Sequence, residues 1–216
     1  MKQSKPRKSD AVPANVADTP VFIEPATLAT PMELNLANHF LIAMPSVLDP
    51  VFGGTVVYIC EHNERGALGV VINKPTDMTM DTLFDRIELR LDIAPIRSKA
   101  IMFGGPVQDD RGFVLHTPAG EYSSSLHIND ELAFTTSRDV LEAVATGLGP
   151  DRLLVSVGYS GWSPGQLEDE IARNGWLTVM ADTKVIFDLP VEQRYVAAIK
   201  LLGIDPMMLA AEGGRA

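Results

Sequence analysis

Three groups of residues in this chain have the types and spacing to do chemistry. The first is Gly158-Tyr159-Ser160-Gly161-Trp162, a serine among glycines that follows the apolar run Leu153, Leu154, Val155 and Val157. A nucleophilic serine on a sharp strand-to-helix turn is followed two residues later by glycine. Here Trp162 holds that place, and Gly161 comes one residue early. The base is also misplaced: His39, His62, His116 and His127 all precede Ser160, whereas the hydrolase order puts histidine last. These residues do not read as a serine hydrolase.

The second group begins just beyond. Ser163, Pro164 and Gln166 spell a helix N-terminus in which serine caps, proline takes the first helical position and glutamine completes an S-x-x-Q box. Free backbone N–H groups at such an end attract anions. Glu168, Asp169 and Glu170 already complement that positive end, and the glycines match neither G-x-G-x-x-G nor a P-loop. Capping is therefore the stronger reading, with a docked small anion or nucleotide as the alternative. Lys74 before Pro75 and the run Gly104-Gly105-Pro106 also follow predicted strands, where ligands of α/β sheets commonly sit. The candidate ligand-binding set is thus Lys74, Gly104, Gly105, Ser160, Ser163 and Gln166, although turn chemistry explains the glycines and prolines equally well.

The third group is Cys60-Glu61-His62. On an uninterrupted strand Cys60 and His62 point to one face, where an imidazolium would favour the thiolate and suit redox sensing or an intermolecular disulfide. The competing reading is a small core residue, because Cys60 ends the run Val56, Val57, Tyr58 and Ile59. Metal binding has little support: no histidines recur at ligand spacing, and one cysteine builds no thiolate site. No catalytic residue is assigned and no cofactor is expected.

Positioning these groups requires a sheet. Phe40 to Met44, Thr55 to Cys60 and Ala67 to Ile72 read as strands, the last two paired antiparallel across Asn63-Glu64-Arg65-Gly66. Asn73-Lys74-Pro75 ends the third strand, and Thr79 to Ile87 carries apolar residues at helical spacing. Ile101 to Phe103, Phe113 to His116, Leu126 to Ile128 and Leu132 to Thr135 form a meander of short strands, with a turn predicted at Asp109 to Gly112. Thr136 and Asp139 open a helix that runs to about Gly147. Leu153 to Val157 reads as a strand covered on both faces, followed by a turn at the glycines and a helix from Pro164 to Asn174-Gly175. Leu177 to Ala181 and Val185 to Phe187 are further strand candidates. Pro190 opens the last helix, with Val191, Tyr195, Ile199 and Leu202 on one face and Gly203 as its stop; residues 205 to 216 add at most a turn.

The expected architecture is a single compact α/β (α+β) domain spanning residues 36 to 216, a mixed sheet of short strands with helices packed on it. Residues 1 to 35 contain five prolines (Pro6, Pro13, Pro20, Pro25 and Pro31) and no sustained period, so a disordered arm is predicted. That arm holds Lys2, Lys5, Arg7 and Lys8 against Asp10, Asp18, Glu24 and Glu33, so the formal charge of −10 falls on the domain. Such a body repels nucleic-acid phosphates, and no sequence-specific DNA binding is expected. No apolar run reaches the roughly 20 residues of a membrane span. With no signal segment and a single cysteine, a cytoplasmic location is expected.

Taken together, HFLIAMP at 39 to 45, VVYICEHN at 56 to 63, INKP at 72 to 75, GGPV at 104 to 107, RGFVLHT at 111 to 117, TTSRDVLEA at 135 to 143, GYSGW at 158 to 162 and GQLEDEI at 165 to 171 resemble the bacterial AlgH/YqgE-like family. The resemblance runs in order from about residue 36 to about residue 204. It implies a compact α/β domain in the bacterial cytosol with no established activity or cofactor, sometimes labelled a transcriptional regulator. The acidic domain lacks a helix-turn-helix pattern, so regulation through another protein is the expectation. The preferred functional reading is a binding or regulatory module, not an enzyme, acting through a protein partner. The alternative is a small-anion or nucleotide-binding, weakly catalytic protein using a cleft at the GYSGW turn.

Overall fold

The computed structural model describes residues 34 to 204 except Ser46 and Leu48. The predicted disordered arm, its basic tip and the turn expected after residue 205 lie outside the described residues.

The apolar runs form strands β1 (His39–Ala43), β2 (Val56–Asn63) and β3 (Gly66–Val71), and the β2–β3 hairpin turns at the predicted place. Then come β4 (Pro75–Thr79), helices α1 (Met80–Arg86) and α2 (Ala94–Arg97), and strands β5 (Ala100–Phe103), β6 (Val107–Thr117), β7 (Ser125–His127) and β8 (Ala133–Thr135). Helix α3 (Arg138–Ala145), strand β9 (Arg152–Trp162), α4 (Gln166–Ala172), β10 (Trp176–Met180), α5 (Thr183–Phe187) and α6 (Val191–Leu201) complete the chain. The sheet order is β10-β1-β2-β3-β9-β6-β8-β7, with β5 joining β9 in parallel and β4 pairing with β5.

This is a single α+β domain built on one curled, largely antiparallel sheet with helices packed on it. Alternation along the strands divides the core. Phe40, Ile42, Tyr58, Leu115 and Phe134 point inward with Ile186 and Ile199 of α5 and α6. Leu41, Ala43, Val57 and Ile59 point outward under α4 and Leu167. Ile101, Val114 and Val155 point outward under α1 and α3, against Phe84, Val140 and Val144. Period-two side chains thus supply two buried faces, as expected for strands covered on both sides.

Strand β9 organises the sheet. Its first half pairs along one edge with β6 and along the other with β5, and its last residues pair with β3. The GYSGW segment is therefore strand and not the predicted turn, which moves to Ser163–Gly165. Gly158 makes this possible: at φ 70° it occupies the left-handed region and shifts the alternation by one residue. Before it Leu153, Val155 and Val157 face the α1/α3 side, whereas after it Tyr159 faces the inner core.

Other expectations are corrected by hydrogen bonding that local pattern does not reveal. Asp109 to Gly112 is no turn but lies within β6, where the register on β9 jumps from Val107–Tyr159 to Gly112–Val157. Pro75 opens a strand, tolerated because it is the first residue and β4 pairs only with β5. Val185 to Phe187 is helix, because the Asp182 side chain caps it by accepting from Lys184 N–H at 2.9 Å. Ser163 makes no side-chain cap to α4; Gly165 is the N-cap at φ 76°. Half of the expected box forms, with Gln166 Oε1 accepting from Ser163 N–H at 3.0 Å.

Candidate functional site

The six proposed ligand residues do not converge on one open cleft. Gly104 bridges strands: its N–H donates to Val157 O at 2.8 Å and its carbonyl accepts from Val71 N–H at 2.9 Å. From there Gly104-Gly105-Pro106 carries the chain from the β5 edge of β9 to the β6 edge, crossing at Gly158. A Cβ at Gly104 would stand 2.2 Å from Gly158 O, and one at Gly105 2.3 Å from the Tyr159 carbonyl. Backbone meets backbone there, so no side chain fits. Ser160 is fully buried and its Oγ donates to Gly104 O at 3.1 Å. The crossing that unites these three residues is closed. Lys74 lies apart, donating to the carbonyls of Pro50 and Val51 at 2.9 and 3.0 Å and sitting 5.8 Å from the Phe103 ring centre. Ser163 alone of the six lines the shallow depression above Gly161, with Arg65, Tyr159 and Pro164.

The Cys60–His62 pair is separated by a bulge. The β2–β3 register shifts between Ile59 and Glu61, so Cys60 is unpaired in the ladder and the faces exchange beyond it. Cys60 points into the inner core at 2% exposure, where burial pushes its thiol pKa upward and keeps it protonated. His62 emerges on the α4 side, its Nδ1 accepting from Leu36 N–H at 3.0 Å and its Nε2 bonded to Glu168 Oε1 at 2.9 Å. An accepting Nδ1 leaves the proton on Nε2, so His62 is a neutral bridge between the chain at Leu36 and α4. The same-face expectation fails because a one-residue bulge inverts every later side chain.

Several residues that chemistry-first reading passed over hold well-defined positions. Glu170 Oε2 accepts from both indoles, Trp162 Nε1 at 2.9 Å and Trp176 Nε1 at 2.8 Å, while Oε1 accepts from Gln166 at 2.9 Å. His116 is buried between Pro118 O (2.9 Å) and Thr135 Oγ1 (2.8 Å), and burial lowers its pKa. Among the described residues, no group of three or more His, Cys, Asp or Glu stands close enough to hold a metal ion.

A predominantly apolar concave surface lies elsewhere, between α1, α3 and the β6–β9 pair. It is a groove of about 360 Å³ with Met78, Leu83, Leu141 and Val157 along its floor and walls. Arg86, Arg111 and Arg138 stand at its rim with Asp110 as the lone acid. All four rim residues are exposed. Arg111 reaches Gln108 Oε1 at 3.4 Å and Arg138 pairs with Glu142 at 2.9 Å. Gly112 opens the groove: a Cβ built there meets nothing within 4 Å. The sequence signal was present in the arginines, but the first and last are 52 residues apart and only the fold gathers them.

Comparison with known proteins places this architecture. A family model described as AlgH-like matches residues 40–207. A UPF0301 protein of Cupriavidus pinatubonensis is 62% identical over 183 residues, 85% of this chain and 96% of that protein. A UPF0301 protein of Bordetella pertussis is 59% identical over 86% of this chain and 92% of its own length. The solution structure of the AlgH protein from Pseudomonas aeruginosa superposes with a TM-score of 0.70 at 47% identity, covering 87% of this chain and 98% of that one. With sequence and fold agreeing over the whole described domain, the chain belongs to the AlgH-like (UPF0301) family.

Proposed function

We propose that this protein is a binding module, not an enzyme, that acts in the cytosol through a protein partner whose acidic, apolar-bearing segment lies in the α1/α3 groove. The observation that carries this reading is an apolar floor inside an arginine rim, on a chain whose formal charge is −10. A cationic patch on an acidic body selects a partner of opposite local charge, while Met78, Leu83 and Leu141 supply the area that holds it. Support for a non-catalytic role comes from the histidines: His39 Nδ1 is bonded to Ala37 O at 3.0 Å, and His62 and His116 have both ring nitrogens engaged. Regulation is then exerted through the partner and not by reading DNA.

The test uses the full chain as bait, with Gly112→Glu and the pair Arg86→Glu and Arg111→Glu as groove variants and Glu192→Ala on α6 as control. A partner identified by mass spectrometry should be retained by the wild type and the control and fall about tenfold with either groove variant. Equal retention by groove variants with unchanged melting temperatures would sink the proposal.

A further inference from the structure

Arg194 is an arginine where a core residue is expected. On α6 it falls between Val191 and Ala198 at three- and four-residue spacing, on the face turned to the sheet, and it is 8% exposed. Its Nε donates to Leu189 O at 3.2 Å and its Nη1 to Ile72 O. No carboxylate pairs with it among the described residues; Asp188, close in sequence, is engaged by Arg152 at 3.4 Å. Burial lowers the guanidinium pKa to about 10, a drop that the charge of nearby Glu192 offsets only in part. A buried cation held only by carbonyls is costly, and five N–H donors outnumber two acceptors.

The remaining donors have somewhere to point. Arg194 lines a cavity of about 280 Å³ walled by Met80, Met102, Leu154, Val155, Phe187 and Val191, with exposed Lys99 and the Arg152-paired Asp188 also in its lining. Arg194 Nη2 has no protein acceptor among the described residues, yet no fully enclosed side-chain nitrogen lacks a partner, so Nη2 opens onto accessible space. One buried positive charge, a planar donor fork and apolar walls are the complement of a single carboxylate on a hydrocarbon body.

We propose that this cavity binds a small organic monocarboxylate, its headgroup on Arg194 and its apolar body against Met80, Met102, Val155 and Phe187. The site shares only Val155 with the lining of the α1/α3 groove and does not depend on the protein-partner reading. A lone guanidinium matches one negative charge, which favours a carboxylate over a phosphate dianion. Lys99 adds long-range attraction and no direct bond.

The test is a titration of the full-length protein followed by amide NMR shifts, with hexanoate as probe, hexanamide as the uncharged match and inorganic phosphate as the charge without a body. Hexanoate should give saturable shifts centred on Ala100, Met102, Leu154, Val191 and Arg194, with hexanamide and phosphate at least about tenfold weaker. Arg194→Gln should weaken hexanoate about tenfold or more, and Lys99→Glu by less. Because Arg194→Gln also frees the Ile72 carbonyl, Val191→Phe provides an independent check: it fills the cavity, leaves the guanidinium in place and should abolish the shifts. Absence of saturable shifts, equal binding of hexanamide or phosphate, or binding that survives Val191→Phe would each overturn the assignment.

Discussion

Ser160 Oγ donates to the carbonyl of Gly104 at 3.1 Å, a bond between residues 56 apart that fastens the chain crossing over β9. The bond sits at the one place where β5 gives way to β3 along that edge. Ser160 is thereby a structural hydroxyl, and the glycines around it are set by close backbone approach.

A ranking of stabilities follows from that crossing. Ser160→Ala removes one neutral hydrogen bond, and Gly104 O keeps its bond from Val71 N–H, so the cost should be about 1 kcal/mol. Gly158→Ala would place a Cβ 2.2 Å from Gly105 O at φ 70° and should cost several times more. Leu167→Ala, at 1% exposure, should fall near 2 to 5 kcal/mol, roughly the range for cavity-forming changes. Ser163→Ala should cost under about 0.5 kcal/mol, since its side chain caps nothing. Urea melts of the four variants measure the order, and a Ser160→Ala variant less stable than Gly158→Ala would refute it.

Glu170 should prove a stability residue through its two indole bonds. Glu170→Ala orphans both Trp162 and Trp176 N–H groups and should cost about 2 to 3 kcal/mol, whereas Glu170→Gln keeps an acceptor and should cost less. These are the chain's 2 tryptophans, so intrinsic fluorescence reports the site directly. An unchanged emission maximum and melting curve in Glu170→Ala would contradict this role.

Cys60 should be unreactive in the native state. Its burial and raised thiol pKa leave neither access nor thiolate, so labelling by a disulfide reagent should proceed only through opening of the fold. Labelling in urea should accelerate in step with unfolding. Rapid stoichiometric labelling of the folded protein at neutral pH would instead restore the redox reading.

Asp139 should contribute an acid-sensitive share of stability. Hydrogen bonds from Ser137, followed by those from Ser123 and Val140, lower its pKa from 3.8 to about 2. A depressed folded pKa means stability present above the unfolded value of about 4 and lost as pH falls through about 2. The stability gap between wild type and Asp139→Asn should therefore be constant above pH about 4 and narrow toward pH about 2. Melting temperatures across that range give the profile, and a gap independent of pH would exclude ionisation as the cause.

Local pattern alone determined much of this protein. The β-branched runs at Val56 to Cys60 and Ala67 to Val71, the loop between them, the helix after Thr79 and the helix opened by Pro190 were legible because their signals lie within a few residues. The family resemblance was legible for a related reason, since several short runs recur in order along the chain. What only the tertiary structure decided depends on partners distant in sequence. Gly158 does not end β9, because β3 and β6 continue the ladder past it. Cys60 and His62 part company because β3 imposes a bulge that neither residue encodes alone. The groove and the Arg194 cavity arise the same way: each joins side chains from separate elements, so their charge and shape exist only once the sheet has curled and the helices have closed on it.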